Sequence, residues 1–274
     1  MKQAAFIGTG NMGGALARAA CRALGADNVV LTDHDHTRAE ALAREVGCSA
    51  APSNAEAVQS AHYVFLCVKP QVLPAVLAEL APVIAQCEAA DAEKVLVSIA
   101  AGVQLEAIRQ QLSPAAPPLL RVMPNTCAAI GQGMLALAAA DGTAERHLEA
   151  VEEILSCAGR VERLNEAQMD AFTAVAGCGP AYVYQFIEAL ADGGVMAGLP
   201  RAAAQTYAAQ TVLGAAAMVL QSGQHPGTLK DAVCSPGGST IAGVAELERH
   251  AFRAAAIDAV LSAWKAKLEL GKRK

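Results

Sequence analysis

The sequence predicts an α/β domain built on a doubly wound parallel sheet, followed by an all-α dimerisation domain. Three observations carry this expectation. Short runs rich in Val, Ile, Leu and Phe alternate with segments of helix length through the first half of the chain. A glycine-rich turn follows the first of them, and after about Leu164 the β-like runs stop and alanine-rich helical patterns take over. Apolar runs without clean polar alternation suit parallel strands covered on both faces. Alternation with helices gives the crossover series of a doubly wound sheet.

The candidate strands are Gln3–Ile7, Val29–Thr32, Tyr63–Val68, Val95–Ile99 and Leu119–Met123. Between them lie helical segments such as Met12–Leu24, Thr37–Val46 and Val72–Cys87. Pro74 falls near the start of the last, where its missing N–H is no loss. Leu112–Pro118, with Pro114, Pro117 and Pro118, reads as a turn into the fifth strand. Past Leu164, Asn165 with Glu166 and Gln168 forms an N-terminal helix signal, and Gly193-Gly194, Gly198-Leu199-Pro200 and Ser222-Gly223 supply stops. Tyr207–Leu220 is apolar nearly all round, with only Gln210 and Thr211 polar. Such a helix must be covered by more protein, either a second copy of the chain or the rest of its own domain.

Composition narrows the function classes. Of 274 residues, 54% are hydrophobic and 17% charged, the balance of a packed globule rather than a disordered chain. Lys plus Arg number 21 against 26 Asp plus Glu, a net charge of −5, and basic residues cluster only at Lys272, Arg273 and Lys274. No nucleic acid partner is expected, because neutralising phosphates needs a clustered positive face. No apolar stretch reaches the roughly 18 residues of a membrane span; Ala171–Tyr184 comes nearest and is broken by Gly177, Gly179 and Pro180. The apolar start Ala4–Ile7 is too short for a signal peptide, so a cytoplasmic protein without membrane contact is expected. Eight cysteines, with no CxxC pair and no Cys/His spacing of the zinc type, read as reduced thiols used as small hydrophobes. No metal is expected, and Asp33-His34-Asp35-His36 is read as a solvated polar tip.

Two segments carry chemistry. Phe6-Ile7-Gly8-Thr9-Gly10-Asn11-Met12-Gly13 is G-x-G-x-x-G between a strand and a helix. Gly8 permits the tight turn, Gly10 lets a pyrophosphate approach the backbone, and Gly13 lets the helix pack near the strand, with the helix N-terminus attracting the anion. Residues 1–164 are therefore expected to be a dinucleotide-binding domain of Rossmann type, with Gly8, Thr9, Gly10, Asn11, Met12 and Gly13 at the cofactor. Asp33 follows Gly13 by 20 residues, where a carboxylate would accept from a ribose 2′-hydroxyl and favour NAD. His34, His36 and Arg38 beside it could take a 2′-phosphate and favour NADP. A capping role for Asp33 is the other reading, though Asp35 would serve that better. The second segment, Cys234-Ser235-Pro236-Gly237-Gly238-Ser239-Thr240 before a helix, presents free N–H groups and a positive dipole end, a seat for a carboxylate or simply a capped start.

Taken together, the segments resemble the pyrroline-5-carboxylate reductases. The likeness rests on Ile7–Met12, Val68-Lys69-Pro70-Gln71, Val97–Val103, Arg121-Val122-Met123-Pro124-Asn125-Thr126, Gly177-Cys178-Gly179-Pro180-Ala181-Tyr182 and Ser235–Thr240 with Gly243-Val244 and Leu247-Glu248. The resemblance implies NADPH- or NADH-dependent reduction of 1-pyrroline-5-carboxylate to L-proline, by a homodimer or higher oligomer whose residues 165–274 bind substrate and dimerise, with a site at the dimer interface. It implies that Asn54, Val68, Lys69, Pro70, Ala100 and Ala101 line the dinucleotide site; Asp33 and His34, from their place after the second strand, and Asn125 are assigned to the same set. It further implies that Ser235, Gly237, Gly238, Ser239 and Thr240 hold the substrate. Cys127, Cys178 and Ser239 depart from the family pattern of Pro, Ser and Thr. A protonated imine accepts hydride readily, so alignment is the main demand. The Thr240 hydroxyl is assigned to the imine nitrogen and the N–H groups of Gly238, Ser239 and Thr240 to the carboxylate, while Lys69 shapes its loop rather than donating a proton. A β-hydroxyacid dehydrogenase would place a lysine acid in its helical domain, but between Leu164 and Leu261 the only lysine is Lys230. A non-catalytic dinucleotide sensor has no need of the Ser235–Thr240 loop.

Overall fold

The computed structural model describes residues 1–113 and 116–272, with side chains through residue 269. Pro114 of the expected turn, and Arg273 and Lys274 of the basic terminus, lie outside the described residues. The chain forms two compact units, Met1–Gly177 with the segment from Trp264 onward, and Cys178–Ala263.

The first unit carries eight strands: β1 (Lys2–Ile7), β2 (Val29–Thr32), β3 (Ser49–Ala50), β4 (Ala61–Leu66), β5 (Val95–Ser98), β6 (Leu119–Met123), β7 (Gly133–Ala139) and β8 (Gly159–Arg163). Their order in one sheet is β3-β2-β1-β4-β5-β6-β7-β8. The five expected strands are its parallel centre. The sheet departs from the all-parallel expectation at β6 and β7, which pair antiparallel with Leu120 opposite Ala139 and Met123 opposite Ala136; β8 then runs parallel to β7.

Helices α1 (Asn11–Leu24), α2 (His36–Val46), α3 (Asn54–Ser60), α4 (Leu73–Ala89), α5 (Leu105–Leu112) and α6 (Glu145–Leu155) connect the strands, and a short α7 (Met169–Phe172) follows them. Successive residues of a strand feed opposite faces. Ala4 and Phe6 enter a core with Leu16 and Ala17 of α1 and Val151 and Ile154 of α6. Ala5 and Ile7 enter a second core with Leu77, Leu80 and Ile84 of α4 and Ile108 of α5. Burial on both faces is why these strands read as unbroken apolar runs. Phe6 and Phe65 of adjacent strands stack at 4.5 Å between ring centroids, within the offset geometry aromatic pairs favour.

The Asn165 helix signal is present: its side chain accepts from the Ala167 N–H while the Gln168 side chain reaches back to the Asn165 N–H, a capping box on the turn before α7. Residues Thr173–Gly177 form a π-helical turn.

The second unit contains α8 (Gly179–Met196), α9 (Arg201–Ser222), α10 (Pro226–Ala232), α11 (Ser239–Arg249) and the first part of α12 (Phe252–Lys272). The Gly193-Gly194 stop is not observed, because α8 runs through both residues to Met196. A Cβ on Gly194 would come within 3.2 Å of the Ala204 Cβ and 3.3 Å of Leu199. Gly194 thus serves the approach of α9 to α8 rather than the end of the helix. Tyr207, Leu213, Met218 and Leu220 on α9 are all more than half exposed in the single chain, so beyond the Ala204 and Ala208 face packed on α8 the apolar helix is not covered within its own domain.

Candidate functional site

The cleft of the first unit lies where β1, β4, β5 and β6 end. The turn Gly10–Gly13, the segments Cys67–Pro70 and Ile99–Ala101, and Met123-Pro124 enclose a cavity of about 470 Å³. Ligands of parallel sheets bind beyond the carboxyl ends of the strands, where every crossover loop must pass.

Gly8 opens the turn with φ +99°, and a Cβ there would sit 2.8 Å from the Cys67 carbonyl oxygen. A Cβ on Gly13 would lie 2.1 Å from the Gly8 carbonyl oxygen, so no side chain fits between α1 and β1. Around Gly10, by contrast, a Cβ would meet nothing within 4 Å. Gly10 is also the N-cap of α1, and no side chain caps the helix. Backbone N–H groups with no side-chain partner, the positive dipole end and an open approach together form an anion seat.

Asp33, at the end of β2, faces this turn from behind. Its Oδ2 accepts from the Thr9 N–H at 2.6 Å and the Thr9 hydroxyl at 2.9 Å; its Oδ1 accepts from the Asp35 N–H at 3.0 Å and lies 2.8 Å from His34 Nδ1. Burial works against ionisation, but the bonds from the Thr9 and Asp35 N–H groups and the Thr9 hydroxyl, with the Arg38 charge, outweigh it. The carboxyl is held below its usual range. The N-cap of α2 is Asp35, whose side chain accepts from the Arg38 N–H. His34 is almost fully exposed and Arg38 half exposed, with Arg38 Nη1 3.9 Å from Asp33.

Of the other predicted residues, Val68, Lys69, Pro70, Ala100 and Ala101 line the cavity with Asn11 and Met12. Asn54 opens α3, and its amide donates to Glu79 at 3.0 Å. Asn125 is buried behind Pro124; its amide donates to the Ala176 carbonyl at 2.9 Å and its oxygen accepts from the Met134 N–H at 3.3 Å. Cys67, Ile99, Met123 and Pro124 also line the cavity. Ile99 and Met123 end predicted strands, Pro124 follows one and Cys67 is the last residue but one of another, and that position was the available signal for them. Burial pushes the Cys67 thiol up, so it stays protonated.

The Ser235–Thr240 loop belongs to the second unit. Gly237 has φ +68°, the Gly238 N–H donates to the Ser235 carbonyl at 3.0 Å, and α11 begins at Ser239 after Gly238, again with no side-chain cap. Ser235, Gly237, Ser239 and Thr240 are exposed. The bare cap reading therefore lacks its capping side chain.

A family model described as pyrroline-5-carboxylate reductase dimerisation matches residues 166–270, and one described as NADP oxidoreductase, coenzyme F420-dependent, matches residues 3–102. The pyrroline-5-carboxylate reductase of Synechocystis is 43% identical over 99% of both chains, and that of Pisum sativum 40% identical over 97% of this chain and 94% of its own. The chain belongs to the pyrroline-5-carboxylate reductase family. Among solved structures, the pyrroline carboxylate reductase of Plasmodium falciparum, determined with NADP bound, superimposes with a TM-score of 0.83 over 98% of each chain at 29% identity. As a pyrroline-5-carboxylate reductase the protein is an oxidoreductase of the last step of proline biosynthesis, the reduction of 1-pyrroline-5-carboxylate to L-proline, and it is oligomeric. No helix among the described residues is long and apolar enough to cross a membrane.

Proposed function

We propose that the cleft at the strand ends holds NADPH or NADH, and that Ser235 with Gly237–Thr240 holds 1-pyrroline-5-carboxylate. The observation that carries this reading is that α1 and α11 each start behind a glycine N-cap, Gly10 and Gly238, with no side chain bonded to the first turn and with open space around Gly10. Each offers backbone donors to an anion, one suited to a pyrophosphate and the other to a carboxylate.

The N–H groups of Asn11, Met12 and Gly13 take the pyrophosphate, and Val68-Lys69-Pro70 and Ala100-Ala101 wall the cleft. When bound, the dinucleotide supplies the hydride. Gly8 shapes the turn, and Thr9 and Asp33 act behind it by pinning the turn to β2. Asn125 fixes Pro124 at the wall, and Asn54, with His34, belongs to the rim. His34 and Arg38, exposed beside a carboxylate already consumed by internal hydrogen bonds, favour acceptance of a 2′-phosphate, hence use of NADPH. The N–H groups of Ser239 and Thr240 hold the substrate carboxylate, the Gly238 N–H expected beside them being spent on the Ser235 carbonyl, and the Thr240 hydroxyl steadies the imine nitrogen. Alignment rather than a strong acid supplies the rate.

The functional division falls at residues 1–164 and 165–274. The assembly is a homodimer or a multiple of it, in a reducing cytoplasm that suits eight free cysteines. The test follows the absorbance of NADPH and NADH with 1-pyrroline-5-carboxylate against a panel of 2-keto and 3-oxo acids. Turnover is expected with the imino acid and unchanged by a chelator. Preference for a 3-oxo acid, or turnover that needs an added metal, overturns the reading.

A further inference from the structure

The strand ends opposite the cleft hold a second cluster that the reaction does not use. His62 is on β4, Glu93 in the connection from α4 to β5, and His147 on α6. One ligand atom from each lies within 4.8 Å of the others, the one such group of three among the described residues. Glu93 Oε2 is 3.8 Å from His62 Nε2 and 3.5 Å from His147 Nε2. In a tetrahedral zinc site, bonds of about 2.0–2.2 Å place ligand atoms about 3.3 Å apart. Small rotations of the partly exposed His62 and Glu93 side chains bring the set into range.

The buried member supplies the independent observation. His147 is 1% exposed, and its Nε2 has no hydrogen-bond partner although the Glu93 carboxylate is close. Leaving a buried polar atom unmade is costly. The other ring nitrogen, Nδ1, is 3.2 Å from the buried Tyr63 hydroxyl. With Nδ1–H donating to the phenolic oxygen, the Nε2 lone pair is aimed at the space shared with Glu93 and His62. An oriented imidazole whose second nitrogen is held by an outer partner is the arrangement metal-binding histidines use.

We propose that His62, Glu93 and His147 form a site for one divalent transition-metal ion of the zinc class per chain, with a fourth position open to water. Two imidazoles and one carboxylate suit zinc, cobalt or nickel and not the all-oxygen preference of magnesium or calcium. The ion enters past His62 and Glu93, which are both about one-third exposed. Arg146 Nη2, 3.2 Å and 3.3 Å from the two Glu93 oxygens, is the resident cation it displaces. The site is a staple across β4, the α4–β5 connection and α6. From His62 to Val68 at the cleft is roughly 20 Å of strand, so loading steadies the domain without entering the reaction.

The test titrates the chelator-treated enzyme with Co²⁺, whose visible spectrum separates imidazole and carboxylate ligation from thiolate ligation, and then displaces it with Zn²⁺. One Co²⁺ per chain without a thiolate band is expected, with a rise in the melting temperature. His62→Gln, at a partly exposed position, and Tyr63→Phe are each expected to weaken binding by about tenfold or more, and Arg146→Gln to tighten it. The site is excluded if no saturable binding occurs below millimolar ion. It is equally excluded if His62→Gln and Glu93→Gln bind as well as the parent, or if the spectrum is that of a thiolate site.

Discussion

Asp33 spends both carboxylate oxygens inside the protein, two bonds to Thr9 on one and the Asp35 N–H and His34 on the other. Its first effect is thus on the shape of the glycine turn. Asp33→Asn sets an amide against the Thr9 donors and is expected to cost about 1–3 kcal/mol of stability. It should raise KM for NADPH and NADH by similar factors; a fall in KM for NADPH alone would mean that like charge, not loop shape, is what Asp33 contributes. The depressed folded-state pKa fixes the sign of the pH effect. Its stabilisation is fully present above the unfolded value of about 3.9 and is lost as pH falls from there through the folded value. Denaturant melts between pH 6 and pH 3 should therefore show the parent losing more stability than Asp33→Asn. Arg38→Ala, which removes the half-exposed guanidinium beside Asp33, should raise KM for NADPH more than for NADH. Thr240→Ala should lower kcat by about 2–3 kcal/mol of barrier, the scale of one preorganised donor, with cofactor affinity unchanged and partial recovery in Thr240→Ser.

At the level of elements, the turn from β1 to α1 tolerates no added atom at Gly13, since a Cβ would lie 2.1 Å from the Gly8 carbonyl oxygen. Gly13→Ala must push α1 off β1, with an expected cost of about 1–3 kcal/mol and a loss of cofactor affinity measured by fluorescence titration. Gly10→Ala, in open space, should leave stability near the parent value and weaken only the cofactor. The glycine spacing was legible in the sequence because each position answers to a separate steric demand. The five central strands were legible too, since burial on both faces leaves an apolar run. The three outer strands were not. β3 has two residues, β7 (Gly-Met-Leu-Ala-Leu-Ala-Ala) has the composition of a helix, and β8 (Gly-Arg-Val-Glu-Arg) is a charged edge held by pairing with β7 rather than by burial. The cofactor-side segments were visible as motifs. The Thr9–Asp33 link was not, because it joins residues that only the pairing of β1 with β2 brings together. His62, Glu93 and His147 escaped for the same reason, lying on three elements with no metal-type spacing.

For the whole molecule, the decisive feature is how little the second unit buries by itself. Its core cluster among the described residues is Ala191, Ala204 and Ala208, with Ile187 and Val195 packed beside it. Tyr184, Tyr207, Leu213, Met218, Leu220 and Ile257 are each more than half exposed in the single chain. Three buried alanines cannot offset the entropy of ordering the residues Cys178–Ala263 at about 1–2 kcal/mol each. A second copy must cover the apolar side chains, and folding of this unit and assembly are then one event, as in dimers without a stable monomer. The melting temperature should accordingly rise with protein concentration. Leu213→Asp, a charge in the middle of α9, should shift the sedimentation profile toward monomer, reduce the helical circular dichroism and abolish turnover at low protein concentration. Gln210→Glu, which adds a charge at an already polar position of the same helix, separates burial of the apolar face from charge as such and should stay closer to the parent. If Leu213→Asp sediments as the parent does and melts independently of concentration, α9 is not the surface that the second copy covers.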